Sequence, residues 1–240
     1  MSEPEIRIPF AGDRQMRASL LSPSQPNGLD AGVIVIHDVF GFTPDVHRIG
    51  ERLRDAGYTV LIPDLYDDAR SKPLCVVKTL TAHQRGKGQP FAMLEAARHY
   101  LLDQVGVRKV GVMGFCMGGH FAVLYAARAP VDVVAPFYGA VPSKAQDIAG
   151  ICPVVGGWGK TDRIFAPHGR RLIRHLDQLG VEHDVKLYDN VGHSYMNNHQ
   201  TFVFRQLGNL NPMHARYDEA AAEDSWSRVF EFFARVLARD

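Results

Sequence analysis

Short β-branched runs recur along the chain with helix-like stretches between them, and that alternation limits the possible folds more than any other feature. Val33-Ile34-Val35-Ile36 is a continuous apolar run, the pattern of a strand buried on both faces. Runs of the same kind occupy 59–62, 109–113, 131–137, 153–156 and 183–188. Between them, 45–56 carries Val46, Ile49 and Leu53 at steps of three and four, with Gly57 where a helix C-cap belongs. Residues 89–104, 118–129, 166–179 and 220–237 behave similarly. Strands alternating with helices predict an α/β fold, a mostly parallel central sheet with helices on both faces. A hairpin over 6–21 is expected to add an antiparallel edge.

About 150 residues per domain is a soft prior, so 240 residues fit one large domain or two small ones. Six strands with their crossovers consume most of the chain in one sheet, which favours a single domain over 1–240. Two irregular stretches, 67–89 and 197–218, break the alternation and have the length of lids or binding loops.

Composition excludes several classes. Lys and Arg number 27 against 26 Asp and Glu, a formal charge of +1, which gives no support for a nucleic-acid or anionic-membrane partner. No apolar run approaches the roughly 18 residues of a bilayer span. The first five residues are acidic with no apolar core behind them, unlike a secretory signal, so a cytoplasmic location is expected. Cys75, Cys116 and Cys152 are too few and too scattered for a disulfide framework or a zinc site.

One of these thiols sits in a special place. The run 110–113 passes directly into Gly114-Phe115-Cys116-Met117-Gly118-Gly119, and a helix begins near Gly119. This is the G-x-S-x-G nucleophile elbow with cysteine in place of serine. The glycines are needed because bulk at either flank would strike the neighbouring strand and helix. The helix behind the thiol aims free N–H groups and its positive dipole end at whatever negative charge develops there.

Such a nucleophile needs a base and an orienting acid, which in this arrangement follow later in the chain, acid first. Asp162 lies past the end of the run at 153–156, and His193 follows the run at 183–188, so both fall on the rim that carries Cys116. Asp184 and Asp189 compete for the acid role; Asp184 lies within a strand run, and Asp189, four residues before His193, is the closer rival. Two oxyanion donors are expected, the N–H of Met117 and that of Val39 in the loop after the first buried run. Asp38, a carboxylate beside the thiol site, is the unusual residue of that loop.

These residues together resemble the dienelactone hydrolase family of α/β-hydrolases. The likeness extends over about 33–233 and rests on Ile36-His37-Asp38-Val39-Phe40-Gly41, Gly57-Tyr58 with Leu61, Pro63-Asp64-Leu65-Tyr66, the elbow, and Gly192-His193-Ser194-Tyr195-Met196-Asn197. The resemblance implies a single-domain α/β-hydrolase fold. It also implies a Cys116-Asp162-His193 triad that needs no metal or cofactor and hydrolyses a small ester or lactone through an acyl-thioester.

Two positions depart from the family pattern. Asp38 stands where the family usually has a glutamate that tunes the thiol. Asn197 stands four residues after the histidine, where the family has an arginine for the substrate carboxylate. Arg85 is a candidate for the family's other arginine. Phe40, Trp158 and Tyr195 are candidates for the pocket or equally for the core. His37, His47, His99, His120 and His199 are read as structural or exposed, and Cys75 and Cys152 as small apolar fillers. The expected partner is a small-molecule ester or lactone. A redox- or electrophile-sensing thiol protein and a non-catalytic small-molecule binding module on the same scaffold are the alternatives. No interface signature indicates an oligomeric state.

Overall fold

A computed structural model of the chain describes residues 5–67, 88–199 and 212–239. The six apolar runs become the strands β3 (Ala31–Ile36), β4 (Thr59–Pro63), β5 (Lys109–Phe115), β6 (Val133–Phe137), β7 (Val154–Gly159) and β8 (His183–Tyr188). The expected hairpin is present as β1 (Glu5–Phe10) and β2 (Arg14–Leu21). All eight share one sheet in the order β1-β2-β4-β3-β5-β6-β7-β8. The pairs β1–β2 and β2–β4 are antiparallel and the rest parallel, so the hairpin forms the antiparallel edge. Every residue of β3, β6 and β7 is buried, whereas the edge strand β1 alternates exposed and buried positions.

The crossovers are α1 (Pro44–Asp55), α2 (Gln89–His99), α3 (Met117–Ala126), α4 (Ala166–Leu179) and the C-terminal α5 (Glu219–Leu237). Pro44 opens α1 and Asp218 caps α5 by accepting the N–H of Ala221 at 3.0 Å. Gly180 ends α4 with a φ of +65°, the left-handed turn that glycine enters without a Cβ penalty. The run at 89–104 departs from the expected single α-helix. After His99 it widens into a π-helical segment, Tyr100–Val105, that closes on Gly106.

Helices cover both faces. Gly32 pairs with Val110 in the β3–β5 register, and a Cβ on Gly32 would meet Leu101, in the π-helical segment that follows α2. One residue on, the other face of β5 is reached: a Cβ on Gly111 would meet Phe233 of α5. On the α5 face, Arg52 of α1 pairs with Glu223 and lies over the Trp226 ring. On the α2 face, Phe91 meets the edge of Phe121 in α3.

This order places the site. The chain leaves β3 toward β4 on one side, while β5 adds on the other side, so the strand order reverses between β3 and β5. The carboxyl ends of strands at such a reversal frame a crevice. Here they deliver Asp38 and Val39 from β3 and Cys116 from β5.

Candidate active site

Cys116 joins β5 to α3 with φ +54° and ψ −113°, a backbone region that costs a non-glycine residue about 1–3 kcal/mol. The surroundings hold it there. Its N–H donates to Phe137 O at 3.0 Å and its carbonyl accepts the His120 N–H at 3.2 Å. The elbow glycines answer to contact: a Cβ on Gly114 would lie 2.2 Å from Gly118 O, and one on Gly118 would lie 2.3 Å from Ile36 O. Met117 is already the first residue of α3, two positions earlier than expected, so its N–H is one of the helix-start donors with no intrahelical acceptor. Val39 lies across the crevice. The Tyr66 hydroxyl ties the two together, donating to Val39 O at 3.3 Å and approaching Met117 Sδ at 3.5 Å.

Asp162 and His193 meet at the ends of β7 and β8. Oδ2 of Asp162 lies 2.7 Å from Nδ1 of His193, and both side chains are almost wholly buried. Oδ1 accepts the N–H groups of Ile164 and Phe165, each at 3.0 Å, just ahead of α4. The His193 backbone is clamped as well, its N–H donating to Met213 O at 2.8 Å and its carbonyl accepting from Arg216 N–H at 3.1 Å. Gly192 is required because a Cβ there would strike His214 O at 1.9 Å. The rival carboxylates are engaged elsewhere, Asp189 with Lys160 at the surface and Asp184 with Arg228.

The imidazole of His193 lies between the rings of Phe165 and Tyr138, at centroid distances of 4.8 and 5.0 Å. Its Nε2 is buried and, among the described residues, no group lies within hydrogen-bond geometry of it. Burial alone would disfavour the charged ring. The nearby Cys116 sulfur and the Asp162 carboxylate, both favouring the protonated ring, outweigh this and push His193 up to about 9. Cys116 and Asp162 thus act on one imidazole, which Asp162 orients through Nδ1.

Asp38 is also nearly buried, and both of its oxygens are occupied. Oδ1 accepts the Phe40 N–H at 2.8 Å, and Oδ2 lies 2.7 Å from Nε2 of His199. Among the described residues no hydrogen bond joins Asp38 to Cys116. His199, expected to be structural or exposed, packs beside the site through Asp38, with its ring 5.0 Å from that of Phe40. Burial opposes its protonation, but the Asp38 carboxylate prevails and raises its pKa.

The proposed pocket residues divide. Trp158 and Tyr195 are fully buried core side chains, Trp158 donating to Gly139 O at 3.0 Å and Tyr195 bonded to Ser225 at 2.9 Å. Asn197 is likewise not at the mouth. Its Oδ1 accepts the Tyr138 hydroxyl at 2.5 Å and its Nδ2 donates to Asp45 at 2.7 Å, which anchors the loop after His193 to the start of α1. Phe40 is 46% exposed and stays at the rim, as does Ile164 beside Asp162. Arg85 and Cys75 lie outside the described residues. His37 is structural, accepting the Leu65 N–H at 3.1 Å through Nε2.

Sequence reasoning missed Tyr138, Phe165 and Tyr66. Tyr138 follows β6 on the same rim with a φ of +40°, so its position at a strand's carboxyl end was a usable signal. Among the described residues no group of three His, Cys, Asp or Glu converges as metal ligands would. No described helix is long and apolar enough to cross a membrane.

Residues 16–237 match the model of the dienelactone hydrolase family. A carboxymethylenebutenolidase of Rhodococcus opacus is 32% identical over 240 residues, covering 90% of this chain and 86% of that protein. The protein usf of Aquifex pyrophilus is 27% identical, covering 86% of this chain and 88% of its own length. Among solved structures, a dienelactone hydrolase-like promiscuous phosphotriesterase from metagenomic libraries superposes with a TM-score of 0.76 at 21% identity, covering 98% of this chain and 99% of that one. The dienelactone hydrolase of Anabaena variabilis gives 0.68 at 20% identity, covering 98% of both chains. At those identities the structures speak for the fold alone.

Proposed function

Because the chain belongs to the dienelactone hydrolase family, we propose that it hydrolyses a small ester or lactone through Cys116, His193 and Asp162. The observation that carries the reading is one buried imidazole held by Asp162 at Nδ1, on the strand-end rim that also carries the elbow cysteine, with Nε2 unpartnered among the described residues. A group placed this way accepts a proton from a nucleophile and returns it to a leaving group.

The steps follow from that placement. In the reactive form the Cys116 proton resides on Nε2 of His193, and the sulfur attacks the carbonyl carbon. The carbonyl π electrons move to oxygen, where the N–H groups of Met117 and Val39 receive the charge. Collapse breaks the ester C–O bond, and the leaving alkoxide takes the proton from Nε2. In a lactone the released alcohol stays attached to the acyl group. Water then gives a proton to Nε2 and adds to the thioester, which expels the sulfur and releases the acid. Asp162 keeps Nδ1 protonated throughout and stabilises the imidazolium.

Asp38, expected to tune the thiol, works on this reading through its neighbours: with His199 it fixes the 38–40 backbone that presents the Val39 donor. Asn197 is neutral and its amide is committed to Asp45 and Tyr138, so it does not replace a cation at a substrate carboxylate. The Rhodococcus opacus relative carries the name carboxymethylenebutenolidase, and the present chain takes the broader class, small esters and lactones.

Turnover of p-nitrophenyl acetate and of short lactones tests the reading, with Cys116→Ala beside the wild type. Loss of turnover in a folded Cys116→Ala supports it; undiminished hydrolysis by that variant contradicts it.

A further inference from the structure

A second cleft, of about 520 Å³, is lined by Lys160, Thr161, Arg163, Asn190, His214 and Arg216. The hydrolytic steps use none of these side chains. All six are able to donate hydrogen bonds, and none is a carboxylate. Lys160 shares its charge with the exposed Asp189 at 2.8 Å, a surface pair of little strength. Among the described residues no carboxylate pairs with Arg163, Arg216 or His214. The whole chain carries a formal charge of only +1, so three permanent cations around one concave surface are a local concentration of charge.

The cleft is also prebuilt. The Lys160 N–H donates to Tyr188 O at 2.9 Å, Thr161 N–H to Val191 O at 3.0 Å, Arg163 N–H to Pro212 O at 3.0 Å and Arg216 N–H to His193 O at 3.1 Å. Four of the lining residues are thus held by backbone bonds between three different segments, and little ordering remains to be done when a ligand arrives.

We propose that this cleft binds a small multivalent oxyanion of the phosphate class. Two guanidinium groups offer planar, bidentate donor pairs that match tetrahedral phosphate oxygens, and the ammonium adds a point charge. The Thr161 hydroxyl and the Asn190 amide add neutral donors that distinguish an oxygen-rich anion from chloride. Thr161 and Arg163 flank Asp162, and Arg216 is bonded to the His193 backbone, so the site lies on the segments that carry the acid and base. The assignment does not depend on the hydrolytic reading, since it is tested by binding alone.

The test is a titration of the intact protein with inorganic phosphate, followed by amide chemical shifts at constant ionic strength, with glycerol 2-phosphate as a second ligand and sodium chloride as the control. The expected result is saturable one-site binding with the largest shifts at Thr161, Arg163, Asn190, His214 and Arg216. The double variant Arg163→Gln/Arg216→Gln weakens binding at least about tenfold, while Arg170→Gln/Arg174→Gln, which removes the same charge from α4, does not. Tighter binding of glycerol 2-phosphate assigns the site to a phosphate ester, and tighter binding of inorganic phosphate assigns it to the free ion. Shifts that fail to saturate, map elsewhere, or weaken equally in both double variants overturn the proposal.

Discussion

Asp162 accepts from Nδ1 of His193 through Oδ2 at 2.7 Å and from the N–H groups of Ile164 and Phe165 through Oδ1. The carboxylate is therefore fixed by the backbone that starts α4, independently of the histidine it orients. Position and charge at this residue are separable, and substitutions can address them one at a time.

Asp162→Asn keeps the Oδ1 contacts but turns an amide NH2 toward Nδ1–H, donor against donor. The ring must then change tautomer, and kcat for p-nitrophenyl acetate is expected to fall by about 10³–10⁴, the scale known for an acid-to-amide change in a serine triad. Asp189→Asn, at a carboxylate that pairs with Lys160 at the surface, is expected to stay within about twofold. A large loss in Asp189→Asn with little in Asp162→Asn would reverse the acid assignment.

The strain at Cys116 predicts an inversion of the usual order of stability. At φ +54°, alanine carries the same Cβ penalty as cysteine, whereas glycine carries none. Urea unfolding of Cys116→Gly is expected to show it about 1 kcal/mol more stable than Cys116→Ala, despite the entropy that glycine costs. Equal or lower stability of the glycine variant would mean that the elbow is relaxed.

His193 also links stability to pH. Its pKa in the folded chain is raised from 6.5 to about 9, because the Cys116 sulfur and the Asp162 carboxylate outweigh burial. A raised pKa means that the folded state binds the proton more tightly. The contribution is fully present below about 6.5 and is lost as pH rises through about 9. Urea midpoints measured across that window should decline more for the wild type than for His193→Gln. In Cys116→Ala, the His193 titration followed by its Hε1 shift should move down. A titration unmoved by loss of the sulfur would disconnect the two residues.

The Asp38–His199 contact makes a prediction about kcat rather than KM. Removing the imidazole frees one Asp38 oxygen and loosens the loop that presents Val39 N–H. His199→Ala is expected to lower kcat about tenfold with little change in KM, as for a weakened oxyanion donor. His199→Gln, whose amide can still donate to Asp38, should recover most of it. A change confined to KM would make His199 a substrate contact instead.

The sheet was legible because β-branched runs buried on both faces read as strands without tertiary information. The span His183–Tyr188 and the helix Ala166–Leu179 fall where the pattern puts them. The elbow was legible because contact with neighbouring backbone demands glycine at 114 and 118. The π-helical segment after His99 was not, since a change of hydrogen-bond register leaves no compositional trace. His199 reaches Asp38 across 161 residues through an aperiodic loop, so no spacing rule connects them. Asn197 and Tyr195 lie in that same loop, and only their burial against Asp45, Tyr138 and Ser225 separates anchoring from lining.

In the proposed reaction the sulfur of Cys116 becomes acylated. Rapid quench of the protein with p-nitrophenyl acetate, followed by intact mass and peptide mapping, measures this directly. A burst of p-nitrophenol matched by one acetyl group on Cys116 is expected, absent in Cys116→Ala. Steady turnover with no adduct on Cys116, or an adduct that persists in Cys116→Ala, would contradict it.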